Sequence, residues 1–120
     1  MHSDSLNATE AYSAARATAP RVSLADMEGK ISTTYFFTGA QAVNGVGAPA
    51  VDSLNVLTIC ILVMRNGFTI IGKSAPASPE NFDAEKGQRF AYEDAIKQLW
   101  PLEGYALRER LSEMASLKAA

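Results

Sequence analysis

Few residues in this chain are equipped for chemistry. Glu80, Asp83 and Glu85 fall close together in the segment SAPASPENFDAEKG, residues 74–87. Carboxylates so close could hold a cation or divide acid and base roles. Either role requires them to converge. On a helix Glu80 and Asp83 share a face at i, i+3, but Glu85 lies well off it, and no histidine is near. The same segment also reads as the start of a helix. Ser78 would be the N-cap and Pro79 the first helical residue, where its missing N–H costs nothing. Glu80 and Asp83 would then face the positive end of the helix dipole, each contributing about 0.3–1 kcal/mol. The helix start explains the cluster, so no metal ligand and no catalytic residue is assigned there.

Cys60 and His2 are the only cysteine and histidine. Cys60 lies within LTICILVM, where a buried, inert thiol is expected. A single cysteine forms no internal disulfide, which fits a reducing cytoplasm. His2 stands in a polar terminal stretch without a partner for a zinc site or a nucleophile–histidine pair. No enzyme, cofactor or metal is therefore expected. The remaining chemistry is recognition. Phe82, Tyr92, Trp100 and Tyr105 could stack on a base, and Arg89, Arg108 and Arg110 could meet phosphate. Core packing and a solvated helix face explain each of them singly; Phe82, Tyr105 and Arg108 are the candidate ligand contacts.

The elements that must position these residues are legible in part. The chain has 120 residues, 48% of them hydrophobic and 20% charged, with net charge −2, which describes one globular domain. That charge exerts no long-range pull on nucleic acid or an anionic membrane. The longest nearly apolar run, Val56 to Met64, is too short to cross a bilayer, which takes about 20 residues. The amino terminus lacks the basic and apolar parts of a secretory signal. A cytoplasmic protein is expected, with no membrane role and no direct nucleic-acid role.

Residues 1–19 show little apolar periodicity and read as a flexible arm with at most fleeting helix, leaving 20–120 as a single α+β domain. Ser23 caps a short helix whose Leu24, Met27 and Ile31 share a face. STTYFFT is β-branched and aromatic, the mark of a strand. The Gly-, Ala- and Val-rich stretch 39–53 shows no period and reads as a long flexible loop. LTICILVMR and FTIIGKS flank Asn66-Gly67, a two-residue type I′ hairpin signal. That turn pairs Arg65 with Phe68, Val63 with Ile70 and Ile61 with Gly72. One hairpin face then carries Ile59, Ile61, Val63, Phe68, Ile70 and Gly72, and the other Cys60, Leu62, Met64, Thr69 and Ile71.

Beyond the hairpin, Ala84, Gly87, Ala91, Ala95 and Leu99 recur at helical spacing as a narrow stripe of small residues. Gly87 implies close approach to the sheet, where Gly72 also lacks a side chain. Pro101 is expected to end this helix and begin a second one bearing Leu107, Leu111 and Met114. The fold expected is a small antiparallel sheet around the hairpin. Two carboxy-terminal helices would cover the Ile61, Val63, Phe68 and Ile70 face, and the strand near Tyr35–Thr38 would add at an edge. The opposite face, with Leu62, Met64 and Ile71, would then contact a partner or a second copy in a homodimer.

These residues also carry a resemblance. Asn66, Gly67, Phe68 and Thr69 at the turn, Gly72, the SPENFDAE segment with Asn81, Phe82 and Asp83, and WPLEGY with Trp100, Pro101, Gly104 and Tyr105, followed by Arg108, form a shared pattern. It resembles the small phage and prophage protein family named after gene product 49 of one podovirus and gene 66 of another. The likeness runs over roughly residues 19–112 and includes APRVSLADMEGKI and YFFT. Pro76 departs from it, standing where many members have cysteine, as do Lys86 and Gln88 around Gly87. The resemblance implies a phage or prophage product acting in the bacterial cytoplasm, and it implies no reaction. The function expected is an accessory protein that binds and modulates a host macromolecule without catalysis. The alternative is a protein that binds a small nucleotide signal and so counters host defence.

Overall fold

The structure is a computed structural model that describes residues 3–16 and 19–119. Three antiparallel strands, β1 (Ile31–Thr38), β2 (Thr58–Met64) and β3 (Thr69–Ser74), form a sheet in that spatial order. One long helix, α4 (Ala84–Ala119), lies across β2 and β3. Helices α1 (Asp4–Arg16) and α2 (Leu24–Gly29) precede the sheet, and α3 (Gly39–Gly45) follows β1. The expected α+β class, with its hairpin, added strand and short amino-terminal helix, is what the chain forms.

Several local expectations hold for the reasons given. The Ser23 hydroxyl accepts from the Asp26 N–H at 2.9 Å and caps α2, and Leu24 and Met27 are buried beneath it. The small stripe of α4 does sit on the sheet. A Cβ built on Gly72 would clash with the Ala91 carbonyl oxygen and stand 2.6 Å from the Ala95 nitrogen. One built on Gly87 would stand 2.6 Å from the Thr58 hydroxyl. Helix and strand meet backbone to backbone because neither side has a side chain to hold them apart.

The hairpin register differs from expectation by one residue. Met64 N–H donates to the Phe68 carbonyl at 2.8 Å, and Gly67 N–H to the Met64 carbonyl at 2.9 Å. The loop is therefore Arg65-Asn66-Gly67, with only Gly67 at positive φ, 90°. Such three-residue loops place glycine at the left-handed position, whereas a two-residue type I′ turn needs positive φ at both central residues. Pairing runs Val63 to Thr69, Leu62 to Ile70, Ile61 to Ile71 and Cys60 to Gly72. A one-residue slip moves a strand's side chains to the other face. Leu62 and Met64, expected at a partner contact, lie instead in the core under α4 with Cys60, Ile70 and Tyr92. Ile61 and Val63, expected under the helices, are on the open face, where Ile71 is exposed as expected.

Helix α4 does not end at Pro101 but runs through it. The missing proline N–H deprives only the Lys97 carbonyl, and Lys97 is exposed, so water can take that bond. The two expected carboxy-terminal helices are one. Its start is also later than expected. Pro79–Asn81 form a 3-10 turn in which Ser78 makes no side-chain cap bond. Asp83 caps α4 instead: its carboxylate accepts from the Lys86 N–H at 3.1 Å and its carbonyl from the Gly87 N–H at 2.8 Å.

Two stretches that show little or no apolar period in the sequence contain helices held by polar anchors. In the amino-terminal arm, α1 docks where Ser3 and Ser5 donate to the Glu93 carboxylate and Leu6 packs on the core. The Glu10 carboxylate accepts from Arg21 at 2.5 Å and from the Leu24 N–H at 3.0 Å. His2 lies outside the described residues. In the stretch 39–53, Thr38 and Gln41 form a reciprocal capping box that starts α3. Gly39 fits there against Leu54 and Leu57.

Candidate functional site

Where the hairpin tip meets α4 the surface opens into a groove of about 460 Å³. Met64 and Leu99 form its buried floor, and Phe68 and Leu102, both about half exposed, line its sides. Lys30, Arg65 and Arg110 stand around it with a single carboxylate, Glu103. The three cations come from different elements. Lys30 is the C-cap of α2, and its carbonyl accepts from the Arg65 N–H at 2.9 Å. That bond ties the start of β1 to the hairpin tip and brings two cations to one end of the sheet. Arg110 arrives from α4, well past Pro101. The Asn66 side chain accepts from the Phe68 N–H at 2.9 Å and fixes the loop.

Lys30 and Glu103 form an ion pair at 2.5 Å. With Glu103 so engaged, the groove presents an excess of positive charge on a chain whose net charge is −2. Arg65 and Arg110 are both exposed. An apolar floor, an aromatic side and flanking guanidinium groups suit an anion attached to an apolar or aromatic body.

The sequence-based ligand residues do not meet. Phe82 is half-buried beside the start of α4, in a small cavity of about 200 Å³ with Pro76, Lys86 and Phe90. Tyr105 and Arg108 are exposed about 20 residues further along the same helix, which is roughly 30 Å at 1.5 Å per residue. Tyr92 is in the core, where its hydroxyl donates to Glu28; burial and that bond push its pKa far above the ordinary phenol value. Arg89 lies 5.5 Å from the Phe90 ring centroid. Burial pushes the Cys60 thiol up to about 11. Among the described residues no three of His, Cys, Asp and Glu converge to hold a metal ion, and none of the helices is long and apolar enough to cross a membrane.

Of the groove residues, sequence reasoning weighed only Arg110 as a ligand group. Its signal for Lys30 and Arg65 was topological: the residue before β1 and the residue after β2 must be neighbours in an antiparallel pair.

The pattern shared around the turn, SPENFDAE and WPLEGY now maps onto one unit, the hairpin with the helix that closes it. Residues 22–111 match the model of the Phage protein (N4 Gp49/phage Sf6 gene 66) family. The chain belongs to that family. The matched span takes in α2, the sheet, the groove and α4 to just past Arg110. No curated protein and no solved structure matches the chain.

Proposed function

We propose that this member of the phage family is an accessory protein that acts by binding, and that the hairpin–α4 groove takes a small anionic ligand of the nucleotide class. The observation that carries this reading is the convergence of Lys30, Arg65 and Arg110 on an apolar floor beside Phe68. A volume of about 460 Å³ lies within the roughly 300–1,000 Å³ usual for small-molecule sites. The residues best suited to chemistry are otherwise engaged, which favours binding over catalysis. Cys60 is buried and protonated at neutral pH, Asp83 caps a helix, and Tyr92 is bonded to Glu28.

The test has two arms. Protein purified from bacterial cells is denatured and any released small molecule identified by mass spectrometry. Adenine and guanine nucleotides are then titrated calorimetrically against the parent and against Arg65→Ala, Arg110→Ala and Phe68→Ala. The reading expects a phosphate-bearing molecule or a saturable nucleotide isotherm, weakened at least about tenfold by either arginine variant. Absence of both, or binding indifferent to all three variants, contradicts it.

A second reading, binding of a host macromolecule, is favoured by the open sheet face. There Tyr35, Ile61 and Ile71 form one cross-strand row opposite the helix-covered side, with Tyr35 and Ile71 more than half exposed. Ile71→Glu would abolish capture of such a partner while leaving nucleotide titrations unchanged.

A further inference from the structure

The two edges of the sheet are finished differently. On β3 two of the outward backbone groups are already bonded to α4. Lys73 N–H donates to Asp94 Oδ2 at 3.0 Å, and Gln98 Nε2 donates to the Ile71 carbonyl at 2.7 Å. Those side chains close that edge to a further strand.

The β1 edge can be read from one bond. Gly39 N–H donates to the Leu57 carbonyl at 2.9 Å, in line with the register that sets Thr38 opposite Thr58. Opposed residues of an antiparallel ladder alternate between bonded and non-bonded pairs. Thr33, Tyr35 and Phe37 therefore turn their backbone groups to β2, and Thr34, Phe36 and Thr38 turn theirs outward. The Thr38 N–H is taken by Gln41 Oε1 at 2.8 Å, and the ladder is irregular between Ile31 and Thr33. That leaves Thr34 and Phe36, whose outward groups bond no other described residue. The strand ISTTYFFT also holds no charged residue and no proline, the usual devices that block an edge.

We propose that β1 is a self-pairing edge, joining two copies antiparallel about a twofold axis at Tyr35, with Thr34 of each copy opposite Phe36 of the other. This register makes four hydrogen bonds from the outward groups of Thr34 and Phe36, whereas a twofold at either of those residues makes two before its next pair meets an irregular or engaged group. A twofold at Thr34 would engage Ser32 at the irregular step, and one at Phe36 would need the occupied Thr38 N–H. The occupant is a second copy because an uncharged strand meets its own copy without repulsion and offers a charged partner nothing to complement. The two three-stranded sheets become one, and the Tyr35–Ile61–Ile71 row continues into its symmetry mate. The Tyr35 side chains meet at a non-bonded pair, where opposed side chains are closest. A single strand edge buries less than the roughly 1,600 Å² of a standard interface, so the dimer is expected to be micromolar.

The test is sedimentation of the full chain from low to high micromolar concentration, with mild oxidation of cysteine variants at matched concentration. The parent is expected to show a reversible monomer–dimer equilibrium. Thr34→Pro removes an outward donor and spares the bonds to β2, and it is expected to weaken the dimer about tenfold or more. Tyr35→Cys is expected to form a disulfide-linked dimer, and Ile71→Cys, on the closed edge, is not. A parent that stays monomeric throughout, equal cross-linking of the two cysteine variants, or a folded Thr34→Pro that dimerises like the parent overturns the proposal. If Thr34→Pro does not fold, the cross-linking comparison decides alone.

Discussion

The two faces of the sheet carry similar aliphatic side chains and meet opposite fates. Cys60, Leu62, Met64 and Ile70 are sealed under α4, while Ile59, Ile61, Val63 and Ile71 stay open to different degrees. Apolar content does not separate the two sets; shape does. The sealed face holds Gly72 and Thr58, which admit the Gly87, Ala91 and Ala95 stripe at backbone distance. The open face has no glycine, and Lys73 stands on it at the β3 edge. A helix docks where the surface lets its backbone in, and the hydrophobic gain follows from that contact.

The contrast should be largest where the same kind of truncation is made on both faces. Leu62→Ala is expected to destabilise by about 2–5 kcal/mol, whereas Ile71→Ala should stay within about 0.5 kcal/mol. Urea denaturation measures both, and comparable losses would break the comparison.

Next come the glycines that admit the helix. Gly87→Ala should destabilise by about 1–3 kcal/mol through overpacking, although alanine is the better helix former. Part of that loss should return in the double variant with Thr58→Ala, since the Thr58 hydroxyl is what the new methyl meets. Gly72→Ala should cost more than Gly87→Ala, because it meets the backbone of Ala91 and Ala95. A stabilised Gly87→Ala would mean that the small stripe faces water.

The smallest expected effect lies away from both faces, in the docking of α1. The hydrogen bond from Arg21 holds the Glu10 carboxyl below its ordinary 4.5. A depressed folded value stabilises above the unfolded pKa and is lost as pH falls through the folded one. Glu10→Gln should therefore cost under about 1 kcal/mol at pH 7, and the difference from the parent should vanish in acid below that folded value. Denaturation at both pH values checks this.

Much of the fold was legible because local chemistry sufficed: the Ser23 cap, the Asn66-Gly67 reversal, and the small stripe that required close approach. The register was not, since an Asn-Gly pair serves both a two-residue turn and a three-residue loop with glycine at its left-handed position. That single residue returned Ile70 and Gly72 to the correct face and sent Ile61, Val63, Leu62 and Met64 to the wrong ones. α1 left only a faint trace because Ser3, Ser5 and Glu10 hold it, and polar anchors leave no hydrophobic period. For α3 the Thr38-to-Gln41 capping spacing is present in the sequence, but it opens a Gly-, Ala- and Val-rich stretch with no period. The groove was illegible for a different reason. Lys30, Arg65 and Arg110 are distant in sequence and meet only once α2, the hairpin and α4 are placed.

Thiol accessibility tests the central claim, that α4 covers the Cys60 face and leaves the Ile61 face open, in its most direct form. Under native conditions the parent's one thiol should resist an aromatic disulfide reagent, being fully buried and raised to about 11. Ile61→Cys, one position along the same strand, should add a single thiol that labels quickly. Rapid labelling of Cys60 in the folded parent, together with a protected thiol in Ile61→Cys, would place the helix on the other face and contradict the account.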